Sequence, residues 1–193
     1  VQVADVLSQS RIYSSDADNA LLTSYITVAR EWLETTLNRQ FMQAQWLMTL
    51  DQFPGRTIDE YRPPGWRYGI IRLPKAPLVS VDSVCYVDAG TLTLTYLDPS
   101  LWQVSTHRIP GLLAPARYQV WPIADPLTFE AVQIAFTCGH PTAAAVPARV
   151  KMAITLLVAH LYENREATAD VALNQIPYGL LSMVNSLAIG ERV

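Results

Sequence analysis

The sequence predicts an α+β fold, a helical core with a small antiparallel β module inserted into it. Three observations predict it. In 146–166, VPARVKMAITLLVAHLYENRE, the residues Val150, Ala153, Ile154, Leu157, Val158 and Leu161 recur at helical spacing. A second helical period runs through 15–38. Between the two lie many short alternating runs bounded by turn residues, which indicate a compact antiparallel sheet or small barrel. The expected organisation has residues 1–44 as the N-terminal helical part and 45–138 as the β module, with a long loop at 54–69. Residues 139–193 then supply the central helix and a short C-terminal helix.

Taken in order, the apolar residues of 3–12 allow two helical turns. Ser15 or Asp16 can cap the next helix, and Asp16 and Asp18 favour its positive end. Leu22, Tyr25, Ile26, Ala29, Trp32, Leu33, Thr36 and Leu37 form one face, while Thr23, Thr27, Arg30, Glu31, Glu34 and Asn38 hold the other. After Phe41 the period changes: Trp46, Met48 and Leu50 alternate with Leu47, Thr49 and Asp51, which is strand spacing. Residues 54–69, PGRTIDEYRPPGWRYG, are too rich in proline and glycine for an element and too aromatic for disorder. They read equally as a packed surface loop and as a contact loop for a partner. Short strands follow at 70–73 and 79–87, the latter with Val81, Ser83 and Cys85 on one side and Val84 and Tyr86 on the other. Gly90 turns the chain into Leu92, Leu94 and Tyr96. Weaker strands come at 102–105 and 112–120, and 129–138 closes the set with Val132, Ile134 and Phe136 inward.

The central helix is apolar on a second face, where Met152, Leu156 and Ala159 are interrupted only by Thr155. A helix apolar all round is buried all round. Either this chain wraps it completely, or a neighbouring subunit covers the second face. Its uncharged run, 152–162, spans roughly 16 Å at about 1.5 Å per residue, well short of a bilayer. Pro177 then opens a short helix with Leu180, Leu181, Val184, Leu187 and Ala188 on one stripe and Gly190 as its stop. So short a helix is marginal alone, and it docks either on its own core or on another protein.

Composition excludes more than it assigns. Half of the 193 residues are hydrophobic, enough for a core, and the net charge of −3 lacks the basic footprint of a dedicated nucleic-acid binder. Cys85 and Cys138, each in a strand-like run, read as small buried hydrophobes rather than a disulfide framework. Cys138 with His140 is too sparse for zinc. No basic-then-apolar leader opens the sequence, and the expectation is a soluble, cytosolic protein. There is no phosphate-binding glycine loop, no G-x-S-x-G elbow and no HExxH. His107, His140 and His160 lie far apart, and Asp59 and Glu60 are adjacent on a loop, where solvated charges are the simpler reading. Neither catalysis nor a cofactor is expected. Glu163, Arg165 and Glu166 gather at the end of the central helix, where acids are unfavourable. They form a solvated end, or pair with Arg149, Arg192 or a neighbour's arginine.

The run VPARVKMAITLLVAHLYENRE, followed after a short gap by IPYGLLSMV, resembles the head-to-tail connector proteins of tailed bacteriophages. These adaptor, or head-completion, proteins also occur in phage-like particles. REWLETTLNRQF, QWLMTLDQFP, IIRLPKAPLVSVDSVCYVD and VQIAFTCG fit the same pattern in the same order over nearly the whole chain. The resemblance implies a ring, typically of twelve copies, that lies beneath the portal protein. Such a ring extends the channel for double-stranded DNA, without sequence-specific binding, and offers a platform to a stopper or tail protein. The implied location is the head–tail junction of the virion, reached from the host cytoplasm during assembly, with no membrane involved. On this reading Met152, Leu156, Ala159, Glu163 and Arg165 make the subunit interface. Tyr178, Leu181, Val184, Leu187, Ile189 and Arg192 bind the portal, and Arg56, Tyr61, Trp66, Arg67 and Tyr68 face the tail side or the lumen. The alternative is a DNA-packaging accessory factor acting with the terminase, which would bind DNA in a salt-sensitive way.

Overall fold

A computed structural model describes residues 1–9, 19–55, 69–163 and Val184. The chain divides into two compact units, Val1–Phe41 with His140–Val193, and Met42–Gly139.

The first unit is helical. Helix α1 (Val3–Gln9) and helix α2 (Asn19–Thr36) precede the second unit in sequence, and helix α3 (Ala148–Glu163) follows it. Leu22, Ala29, Leu33 and Leu37 from the α2 side meet Val150, Ala153, Ile154, Leu157 and Val158 of α3, with Val6, Phe41, Val146 and Val184 completing the core. Helix α2 ends at a defined signal. Asn38 takes a left-handed φ of 48°, the Asn38 amide donates to Thr35 O and the Arg39 amide to Glu34 O. That is the paired closure of a Schellman motif, with asparagine in the position glycine usually fills. The Glu34 carboxylate then accepts from the Phe41 amide at 2.8 Å and from Gln40 Nε2 at 3.2 Å, which fixes the path of the chain leaving the helix.

Among its described residues the second unit is built of β-strands, with one short 3-10 turn at Pro99–Leu101. Strands β1 (Ala44–Leu50), β7 (Val132–Cys138), β3 (Leu78–Val87) and β4 (Leu94–Tyr96) form one antiparallel sheet in that order. Strands β2 (Ile71–Leu73), β6 (Gly111–Pro115) and β5 (Trp102–Ser105) form a second, antiparallel as well. Both sheets contribute to one core: Ile71, Leu73 and Leu113 from one, and Val84, Tyr86, Val132, Ile134 and Phe136 from the other. Gly111 allows β6 to approach β3, because a Cβ there would sit 2.7 Å from that of Leu78.

The structure corrects the expected fold class. The chain is not a helical core of long N-terminal and central helices carrying a small β insert. It is β-rich, with seven strands in two antiparallel sheets against three described helices, of which the longest, α2, has eighteen residues. The misreading was one of weight, since the strands fall where the sequence placed strands but pack into a compact unit of their own, Met42–Gly139, rather than a small insert. The short C-terminal helix falls outside the described residues except for Val184. Strand β3 brings a second correction. Its register against β7 slips between Leu78 and Ser80 and again between Val81 and Ser83, so Val81 lies opposite Phe136 and shares a face with Val84 and Tyr86. A bulge reverses the alternation locally. The stretch 112–120 is a strand only as far as Pro115.

Phe136 is 1% exposed at the centre of the β core. Phe136→Ala is expected to lower unfolding stability by about 3–5 kcal/mol, measured as a shift of the urea midpoint with the slope unchanged.

Candidate assembly surfaces

Helix α3 buries one face in its unit and leaves another uncovered. Met152 and Leu156 are each 43% exposed, Ala159 is half-buried and Glu163 is exposed. Their spacing of four, three and four residues is that of a coiled-coil seam, so they form one straight stripe on a helix. Thr155, which interrupts the stripe in the sequence, is 5% exposed and donates its hydroxyl to Lys151 O at 3.0 Å, so it offers no polar break to an approaching surface. Lys151 reaches Ala144 O through Nζ.

Of the other residues assigned to contacts from the sequence, Val184 is 2% exposed within the helical core, so its side chain packs inside its own subunit. Arg165, Tyr178, Leu181, Leu187, Ile189 and Arg192 lie outside the described residues, as do Arg56, Tyr61, Trp66, Arg67 and Tyr68 of the aromatic loop.

The β unit carries a surface that the sequence reading missed. Between β6 and β7 the chain makes an arm, residues 116–131, that exposes Tyr118 (88%), Val120 (85%), Ile123 (78%), Leu127 (90%) and Phe129 (87%). In the sequence Tyr118, Val120 and Phe129 pass for the ends of two strands, 112–120 and 129–138. The arm is nonetheless firmly held. The Trp121 indole stacks on Phe53 at 4.7 Å with 9° between the rings, and its Nε1 donates to Gly69 O at 2.6 Å. Ala124 bridges to Asp88, and the Asp125 amide donates to Val87 O at 2.8 Å. The Asp125 carboxylate is 8% exposed and accepts from Thr128 Oγ1 at 2.6 Å and from the Leu127 amide at 3.3 Å. Tyr118 and Glu130 near its two ends both hold left-handed φ values, 66° and 55°. Such values cost energy in residues other than glycine and persist only where the surroundings impose them. Beneath the arm is a cleft of about 830 Å³ lined by Phe53, Gly55, Gly69, Gln103, Ala114 and Trp121 among others.

Several other polar groups serve local structure. Asp88 is held below the usual carboxylate range by the amides of Thr91 and Gly90, which shape the β3–β4 turn. Tyr86 is pushed up by burial and by Asp88. Burial, then the Arg39 guanidinium, pulls His140 below its ordinary value. Cys85 and Cys138 are both buried and are not joined by a disulfide. Among the described residues no three His, Cys, Asp or Glu side chains stand together as a metal site, and no helix is long and apolar enough to cross a membrane.

The fold is shared with solved particle structures. A chain from "Virion of native gene transfer agent (GTA) particle" aligns with TM-score 0.71 and 23% identity, covering 97% of this chain and 89% of that one. One from "Neck of empty GTA particle computed with C6 symmetry" aligns with TM-score 0.69 and 21% identity over 97% and 89%. A third, from "Neck of native GTA particle computed with C12 symmetry", gives TM-score 0.61 and 22% identity over 96% and 87%. No family model and no curated protein matches the sequence. At the level of fold, the likeness bears out the resemblance to head-to-tail connector proteins.

Two outcomes are expected. Because the folded chain favours neutral His140, the unfolded chain takes up the proton first as pH falls. The associated stability is complete above pH 6.5, the ordinary value, and is lost as pH falls below it. Thermal melts between pH 8 and pH 5 should therefore show a shallower acid-side loss in His140→Gln than in the parent protein. Trp121→Ala should release the arm, seen as faster amide hydrogen exchange across 117–128 while the β7 amides remain protected.

Proposed function

We propose that this chain is a structural subunit of a head-to-tail neck, an adaptor that assembles as a ring below the portal and extends the channel for DNA. The observation that carries the reading is a fold shared over nearly the whole chain with chains of cyclically symmetric necks. It is supported by the two uncovered apolar surfaces, which a subunit enclosed by neighbours would keep, and the role is structural rather than catalytic. Twelve copies fit the C12 symmetry of one of those necks. A net charge of −3 suits a wall beside moving DNA, since contact with it releases few counterions.

In the ring, the seam of Met152, Leu156 and Ala159, flanked by Glu163 and Arg165, takes part in the subunit interface. The segment 178–193, through Tyr178, Leu181, Leu187, Ile189 and Arg192, docks on the portal. The loop with Arg56, Tyr61, Trp66, Arg67 and Tyr68 faces the tail side or the lumen, where a stopper or tail protein binds. The subunit acts at the virion's head–tail junction after synthesis in the host cytoplasm.

Sedimentation with portal-bearing, DNA-filled, tailless capsids tests this. The full chain should pellet with the capsids at a fixed stoichiometry, and a chain truncated after Asn185, which keeps the core residue Val184 but lacks Leu187, Ile189 and Arg192, should bind them at least tenfold less. Leu156→Asp should abolish ring formation while keeping the β signal in circular dichroism. A truncated chain that binds as well as the full one would remove the tail from the contact, and full-length protein left in the supernatant would refute the adaptor role.

A further inference from the structure

The ring reading, on which this inference rests, leaves one requirement open. Around a cyclic ring of more than two copies each contact is heterologous: one surface of a subunit meets a different surface of the next. The α3 seam is one surface, and it needs a complement elsewhere on the chain.

We infer that the complement is the arm between β6 and β7, which docks through Tyr118, Val120, Ile123, Leu127 and Phe129 on the Met152–Leu156 seam of the next copy. Area is the first argument. With side chains of this size 78–90% exposed, the arm offers on the order of 700–800 Å² of mostly apolar surface, about what one partner contributes to a standard protein interface. So many large apolar side chains left exposed on one short segment are uncommon on a subunit that works alone.

Charge is the second argument. Between Arg117 and Glu130 the only ionisable group besides Tyr118 is Asp125, and its carboxylate is buried in hydrogen bonds to Thr128 and Leu127. The arm therefore presents no exposed charge over that span. It does not suit DNA, a basic peptide or an acidic one. The seam likewise runs uncharged from Met152 to Ala159. Surfaces that carry charge only at their margins, here Arg117 over the Tyr118 ring and Glu130 beside Phe129, lose little to desolvation of ions when they meet.

Order is the third. The Phe53–Trp121 stack, the Asp88–Ala124 bridge and the Asp125 hydrogen bonds anchor the arm at its middle, while the side chains on either side of each anchor point outward. A loop so constrained forfeits little entropy on docking, which is the condition for an apolar patch to yield affinity. The left-handed φ of Tyr118 places that ring on the exposed side, under the Arg117 guanidinium at 4.8 Å.

Cross-linking in the assembled vertex tests the pairing. A full-length Phe129→Cys, Leu156→Cys double variant, bound to tailless capsids and treated with a short bismaleimide, should give a ladder extending beyond dimers on denaturing gels. Each single variant should remain monomeric, and the native thiols, 6% and 0% exposed, should not react. Capsid-bound double variant that stays monomeric would overturn the pairing and leave the ring intact, as would dimers from either single variant. Should a ring form with the arm cross-linking to the portal or a tail protein instead, the arm belongs to that partner and the inference fails.

A second measurement covers variants that bind capsids poorly. In sedimentation velocity at high protein concentration, Phe129→Asp alone and Leu156→Asp alone should stay monomeric, while their equimolar mixture should form dimers through the one intact contact. A mixture that remains monomeric under conditions where the parent protein associates would overturn the pairing.

Discussion

Ala44 lies opposite Cys138 in the β1–β7 ladder, and this pairing holds the two ends of the β unit side by side. The helical unit is assembled from chain on both sides of that segment, so α2 and α3 can share a core only if the ends are brought together. For a flexible segment of this length the chain-length term of loop closure alone is about 4 kcal/mol. Seven ladder positions between β1 and β7 offset that cost in the folded chain. Gly139 completes the return. Its φ of 104° and its approach to the Met42 backbone leave no space for a Cβ, and the next amide, His140, donates to Phe41 O at 3.1 Å.

Each unit has its own core, and each leaves apolar side chains outside it, among them those of the α3 seam and of the β6–β7 arm. On α3 the buried face and the exposed seam are separate stripes of one helix, so losing the seam need not cost the fold. In the β unit the arm is set by a single aromatic stack and a few hydrogen bonds. Neither set of side chains takes part in the core of its own unit. This arrangement suits a protein whose function lies in what it joins.

Much of the helical unit was legible in the sequence. The faces of α2 and α3 follow the 3.6-residue period, and Leu22, Ala29, Leu33, Val150 and Leu157 are buried as that period requires. In β7, Val132, Ile134 and Phe136 alternate inward as read. The short strands β2, β4, β5 and β6 fall where the sequence reading put strands, and the error lay in their weight: a segment that forms a compact unit of its own, Met42–Gly139, was taken for a small insert. In β3 the pattern misled because a bulge is an insertion that leaves no mark in residue type. The arm was hidden for a different reason. Tyr118, Val120, Leu127 and Phe129 have the composition of strands, and hydrophobicity records that a residue will be covered without recording by what. The exposed Met152 and Leu156 were visible as an apolar surplus on α3, since a helix apolar on both faces needs more cover than a chain of this size supplies.

Electron microscopy of the capsid vertex tests the central claim most directly, that the uncovered surfaces are covered by copies of this chain in a ring. Purified protein added to portal-bearing, DNA-filled, tailless capsids should appear as a closed cyclic ring below the portal, with α3 and the β6–β7 arm at the contacts between copies. A bare vertex, or isolated subunits bound to the portal without touching one another, would contradict it.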